Sequence, residues 1–169
     1  MKLLHFTLAG RGFVLPISLI REILGRADIT PVDRAPEDVV GLLNVRGQIV
    51  TVLNPAVMLG VAEAHKVSPG GEYPVIIFKR NQELEERSSL GGGQTGTSDD
   101  LYALRVEQIG DVITVIEEDL EAIPSNSSEE TSAFFTSIVR SGEKVLPLVH
   151  AARLIRGSSE EVEELVSEG

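Results

Sequence analysis

The chain has 169 residues, of which 42% are apolar, enough to enclose a core within one domain. Its 26 acids outnumber 15 lysines and arginines, and a net charge of −11 disfavours binding to nucleic-acid backbones or anionic lipid. The absence of cysteine removes disulfides and thiolate metal sites, and the absence of tryptophan leaves little to stack on bases or sugars.

No run approaches the ~18 apolar residues of a membrane span. The first residues, MKLLHFTLAGRG, alternate after His5 like a strand rather than forming a signal segment. The expectation is a soluble, cytoplasmic protein. Period-two patterning dominates from there on. His5–Leu8 and Phe13–Ile17 flank Gly10-Arg11-Gly12 and predict a hairpin with a glycine turn. Ser18 opens a helix-like spacing, SLIREIL, with Leu19, Ile20, Ile23 and Leu24 on one face and Gly25 as its stop. After Pro31 and Pro36 come two strands, Val39–Val45 and Gln48–Leu53, joined through Arg46-Gly47. Pro55 then begins a single helical turn that closes at Gly60.

Pro74–Arg80 reads as a continuous apolar strand. Residues 81–100, NQELEERSSLGGGQTGTSDD, lack an apolar face and predict a flexible loop. Strands resume at Leu101–Val106 and Asp111–Ile116. A second hairpin, Phe134–Arg140 with Lys144–Val149, precedes a short helix over His150–Arg156 that ends at Gly157. The acidic tail, 158–169, is expected to be frayed or weakly helical. Setting Gly47 against Gly142 without gaps matches Val50 to Val145, Leu53 to Leu148, Ala56 to Ala151 and Leu59 to Leu154. That echo suggests two related β subdomains in an all-β fold of small barrels.

A reaction centre is not legible. His5, His65 and His150 have neither metal-ligand spacing nor a neighbouring carboxylate at such a spacing. GGGQTG at 91–96 lacks the Lys-Ser/Thr of a phosphate loop, and no Gly-x-Ser-x-Gly elbow occurs. The acid pairs lie in polar stretches where carboxylates keep ordinary chemistry. The reading is a non-enzymatic protein without metal or cofactor, working through a binding surface. The Arg46-Gly47 tip is the natural anchor, because Gly47 supplies the positive φ of a tight turn and Arg46 projects from it.

The stretch GLLNVRGQIVTVLNPAVMLG resembles the hallmark of the CheW family of chemotaxis adaptors through Gly41, Asn44, Arg46, Gly47, Val52 and Leu59-Gly60. The resemblance extends through FVLPISLIREILGRADITPVDRAPEDVVG before it, and YALRVEQIGDVITV and GEKVLPLVHAARLI after it, covering about residues 3–157. Asn54 departs from the family, which often has Asp there, and the 81–100 loop is longer than a member needs. The resemblance implies two interleaved five-stranded SH3-like barrels within a domain at 1–157. It also implies an adaptor coupling the cytoplasmic tip of methyl-accepting chemoreceptors to the regulatory domain of a CheA-type histidine kinase. A paralogous adaptor of twitching or developmental signalling is the alternative. Such a protein binds no nucleic acid, does not insert into membranes itself, and reaches receptor arrays through its partners. The expected binding surface comprises Arg46, Glu22, Val45, Ile20, Ile23, Val106, Ile109 and Val112, with Glu22 on the SLIREIL helix as a bidentate partner for Arg46. For each apolar member the alternative is plain core packing.

Overall fold

The structure is a computed structural model that describes residues 1–61, 71–84, 94, 96–124 and 133–157. Alternating apolar residues produce eleven strands among them: β1 Lys2–Leu8, β2 Arg11–Pro16, β3 Ile20–Ile29, β4 Val39–Val45, β5 Gln48–Leu53, β6 Gly71–Phe78, β7 Tyr102–Arg105, β8 Gln108–Thr114, β9 Leu120–Glu121, β10 Phe135–Ser141 and β11 Lys144–Val149. The described residues also form two α-helices, α1 at Pro55–Met58 after β5 and α2 at residues 151–157 after β11.

The strands form two sheets. The first runs β8-β1-β2-β11-β10-β9 and the second β3-β6-β7-β5-β4. Leaving aside the two-residue β9, the sheets are topological copies. In each, a hairpin (β4-β5 or β10-β11) lies parallel to a strand of a second hairpin (β7 of β6-β7, or β2 of β1-β2), and a fifth strand lies beyond it (β3 or β8). The chain interleaves them: β1 and β2 belong to the first sheet, β3 to β7 to the second, and β8 to β11 to the first. This is the double SH3-like barrel that the family resemblance implied.

The echo of Gly47 on Gly142 is one residue out of step with this symmetry. Arg46-Gly47 connects Val45 to Gln48, whereas Gly142-Glu143 connects Ser141 to Lys144, so Gln48 is equivalent to Lys144. Val50 is accordingly buried while Val145 is exposed, and the true counterpart of Val145 is the exposed Ile49. The gapless match scored the common apolar residues but could not see that Gly47 stands second in its turn and Gly142 first.

The predicted helix over Ser18–Leu24 does not form. Residues Ile17–Leu19 make one 3-10 turn, and β3 begins at Ile20. β6 offers a long antiparallel partner that pairs Ile20 with Phe78, Ile23 with Ile76 and Leu24 with Val75. The β-branched residues Ile20 and Ile23 fit that pleat better than a short helix. Gly25 lies in a bulge between Leu24 and Ala27, rather than stopping a helix. The first turn also moves: Leu8 pairs with Arg11, so Ala9-Gly10 is the connection, both with positive φ as in a type I′ turn.

Three apolar clusters follow from the two-residue alternation. Leu3, Val14, Val139, Leu146 and Leu148 fill the first barrel. Val50, Val52, Val75, Ile77 and Ala103 fill the second. The largest cluster lies between the barrels, built from their opposite faces (Leu4, Phe6, Leu15, Leu53, Ile76, Phe78, Leu104) and from Ala56, Leu59, Ala151 and Leu154 of the helices. Of the predicted loop at 81–100, Asn81–Glu83 form a 3-10 turn, and Gln94 is buried and bonded to Val149 O and Ala151 N at 2.8 and 3.0 Å. Residues 85–93 and the tail at 158–169 lie outside the described residues.

Candidate functional site

The second barrel has a seam where its edge strands β3 and β4 meet, and the Arg–Gly tip lies at one end of it. At the other end the backbones of Thr30 and Leu42 exchange two hydrogen bonds of 2.8 Å. Gly41 permits this approach, because a Cβ on it would stand 2.1 Å from Thr30 O. At the tip the seam is fastened by side chains. Arg46 Nη1 and Nη2 donate to Glu22 Oε2 and Oε1 at 2.9 and 3.0 Å, the two-pronged geometry of the strongest Arg–carboxylate contacts. The expected pairing therefore forms, but from a strand rather than a helix.

The tip itself is built by the Asn-x-Arg-Gly motif. Arg46 and Gly47 both have positive φ, at 51° and 84°, giving a type I′ connection. Asn44 Oδ1 accepts from Gly47 N at 3.0 Å and so holds the turn that puts Arg46 in a backbone conformation uncommon outside glycine. A second chain of contacts runs alongside. Arg21 donates to Gln48 Oε1 at 3.1 Å and pairs with Glu83 at 3.4 Å, and Glu83 accepts from Arg80 N at 2.7 Å. Burial raises the Glu83 carboxyl pKa, but the Arg80 backbone donor and the Arg21 and Arg80 charges outweigh it and hold the carboxyl below its ordinary value. The root of the 81–100 insertion is thus tied to β3 and to the hairpin tip, a link that sequence spacing could not reveal.

The expected surface residues separate into three groups. Arg46 keeps 72% of its side chain exposed over Glu22 at 19%, while Val45 packs beneath against the barrel interior. Ile20 and Ile23 lie on the outer face of β3, and Ile109 and Val112 on that of β8; these strands are equivalent by the internal symmetry. Ile20 and Ile109 pack against the inter-barrel core, and Ile23 and Val112 are 40% and 52% exposed. The expected role of Val106 is corrected: it is completely buried in the inter-barrel core and offers no surface to a partner. Its position at the end of β7, where the chain crosses from one barrel to the other, turns it inward.

Asn54, the departure from the family pattern, caps α1, its Oδ1 accepting from Ala56 N at 3.3 Å. An uncharged amide performs that task as well as a carboxylate. At the equivalent position His150 Nδ1 accepts from Arg153 N at 3.3 Å at the start of α2. Among the described residues no group of three or more His, Cys, Asp or Glu able to hold a metal occurs, and no helix is long and apolar enough to cross a membrane.

The CheW-like domain family model matches residues 2–159. The Probable chemotaxis protein CheW of Rhizobium etli is 21% identical over 160 residues, covering 95% of this chain and 90% of that one. The Chemotaxis protein CheW of Rhizobium meliloti is 24% identical over 148 residues, covering 88% and 83%. Among solved structures, the crystal structure of scaffolding protein TtCheW from Thermoanaerobacter tengcongensis superposes with a TM-score of 0.69 at 20% identity, covering 90% of each chain. A family match over almost the whole chain, together with the double barrel and its Asn-x-Arg-Gly tip, places this protein in the CheW family of chemotaxis adaptors and scaffolds.

Proposed function

We propose that the protein is a non-enzymatic cytoplasmic adaptor that couples the cytoplasmic tips of chemoreceptors to the regulatory domain of a CheA-type histidine kinase. The observation that carries this reading is the two-pronged Arg46–Glu22 contact. It presents an exposed guanidinium in a fixed pose at a barrel end, where a flexible surface cation would be held loosely. The exposed Ile23 and Val112, on symmetry-related strands bordering the inter-barrel core, supply apolar area for a partner.

The test is co-precipitation with a CheA-type regulatory domain and with a receptor signalling fragment. Capture of both is expected, and capture of neither overturns the reading. Arg46→Ala and Glu22→Ala are each expected to weaken receptor capture about tenfold. Their melting temperatures should stay close to that of the parent, because a solvent-exposed pair contributes at most ~1 kcal/mol. Parental binding by both variants removes the tip from the docking surface.

A further inference from the structure

The outer face of the second barrel carries an apolar row that leaves the inter-barrel core and emerges into solvent. Leu53 and Leu104, paired across β5 and β7, are buried in that core. One step towards the hairpin tip, Thr51 pairs with the half-buried Tyr102. The row ends on Ile49, which is 57% exposed. Beside Ile49 lies an open hollow of about 360 Å³, walled by Thr51, Tyr102, Leu101, Arg80 and the acids Asp99 and Asp100. It stands at the small end of the ~300–1,000 Å³ range of small-molecule sites, a size suited to one or two side chains.

The wall of this hollow is the base of the long insertion, and it is firmly built. Asn81 N donates to Ser98 O at 2.7 Å, Thr97 N to Asn81 Oδ1 at 2.8 Å, and Asn81 Nδ2 to Asp99 Oδ1 at 3.0 Å. Arg80 shares the Glu83 carboxylate with Arg21, and with Asp99 and Asp100 these five charged groups leave a net negative charge around the hollow. The Asp100 carboxylate has neither an ion pair nor a hydrogen bond among the described residues, although its backbone N–H is bonded to Ser98 Oγ. The hollow thus joins an uncovered aliphatic side chain to an uncompensated negative charge. It is also continuous with the Arg46 tip, because Ile49 pairs across the hairpin with Asn44, the residue that holds Gly47.

We infer that the hollow beside Ile49 is a docking pocket for a protein segment that presents an aliphatic side chain next to a lysine or arginine. Ile49 and the Tyr102 ring at the otherwise polar hollow take the aliphatic group and Asp100 takes the cation, so the insertion selects partners by charge while Ile49 supplies the contact. A second copy of this chain is a poor occupant, because two chains of charge −11 repel one another. The inference goes beyond the adaptor reading and is tested without kinase or receptor, so either can fail alone.

The experiment titrates isotope-labelled full-length protein with three short synthetic peptides, identical except for a central Leu-Lys, Leu-Glu or Ser-Lys pair. The Leu-Lys peptide is expected to shift the amides of Thr51, Leu101 and Tyr102 with a Kd below about 1 mM, and the others to bind at least about tenfold more weakly. Ile49→Asp should abolish the shifts. Asp100→Lys should reverse the preference towards Leu-Glu. Equal binding of Leu-Lys and Leu-Glu, no binding by any peptide, or an unaltered preference in Asp100→Lys overturns the proposal. Sedimentation showing a dimer that Ile49→Asp dissolves overturns it in favour of a second copy.

Discussion

Asp38 is 2% exposed, and neither of its carboxylate oxygens has a hydrogen-bond partner. Burial of such a group without compensation opposes folding. Asp38→Asn, which removes the charge at almost constant volume, is therefore expected to raise stability by about 1–3 kcal/mol at neutral pH. The urea midpoint should move upward, and a fall would mean that the charge meets a favourable environment. His150 poses the opposite case. Burial first, and the Arg153 charge second, hold its imidazole pKa below the ordinary value of 6.5, so it caps α2 in its neutral form. The unfolded chain then binds the extra proton more readily. The contribution of this group is fully present above pH 6.5 and is lost as pH falls below it through the depressed value. Melting temperature should fall between about pH 7 and about pH 5, and His150→Asn, which keeps a capping oxygen, should flatten that part of the profile.

Within single elements, the hairpin β4-β5 makes two different demands on glycine. At Gly47 a Cβ would meet nothing within 4 Å, so the only cost of Gly47→Ala is the positive φ of 84°, about 1 kcal/mol. At Gly41 a Cβ would collide with Thr30 O, the acceptor that closes the barrel seam. Gly41→Ala is expected to cost about 3 kcal/mol or more. Chemical denaturation of the two variants separates backbone strain from steric obstruction, and equal losses would show that the seam yields easily. The Arg46–Glu22 contact belongs at this scale as well. It fastens the same seam with two charged side chains where the opposite end uses backbone, and this leaves the guanidinium rigid yet accessible.

Across the whole molecule, interleaving makes the barrels inseparable, since the chain crosses between sheets after β2 and again after β7. Gln94 adds a third tie. It comes from the segment between β6 and β7 of one barrel and bonds the backbone on either side of His150 at the end of β11 in the other. Gln94→Ala leaves a buried carbonyl and a buried N–H without partners, a loss of about 2–3 kcal/mol. Native-state hydrogen exchange should show the Ala151 amide losing protection while the β4-β5 amides keep theirs. Unchanged protection at Ala151 would mean that the insertion only rests against α2.

The sequence by itself determined much of this. Period-two alternation set β4, β5 and β11 to the residue, glycine placed the turn at Arg46-Gly47, and the Asn-x-Arg-Gly motif pointed to the family. These features are local: a strand's two faces and a turn's φ values are written in adjacent residues. Tertiary structure alone decided the rest. SLIREIL became a strand because β6, more than fifty residues away, supplied a pairing edge. Val106 went into the core and Ile49 to the surface because one row on the second barrel is covered by the first barrel at its inner end and by nothing described at the other. The 81–100 stretch has no apolar face of its own, yet Gln94 is buried because its partners lie at the end of β11 and the start of α2, and Asn81 bonds Thr97 and Asp99, sixteen and eighteen residues further along the chain. Alternation states which faces of a strand are apolar; only the approach of distant segments decides which of those faces are covered, and hence where a partner can bind.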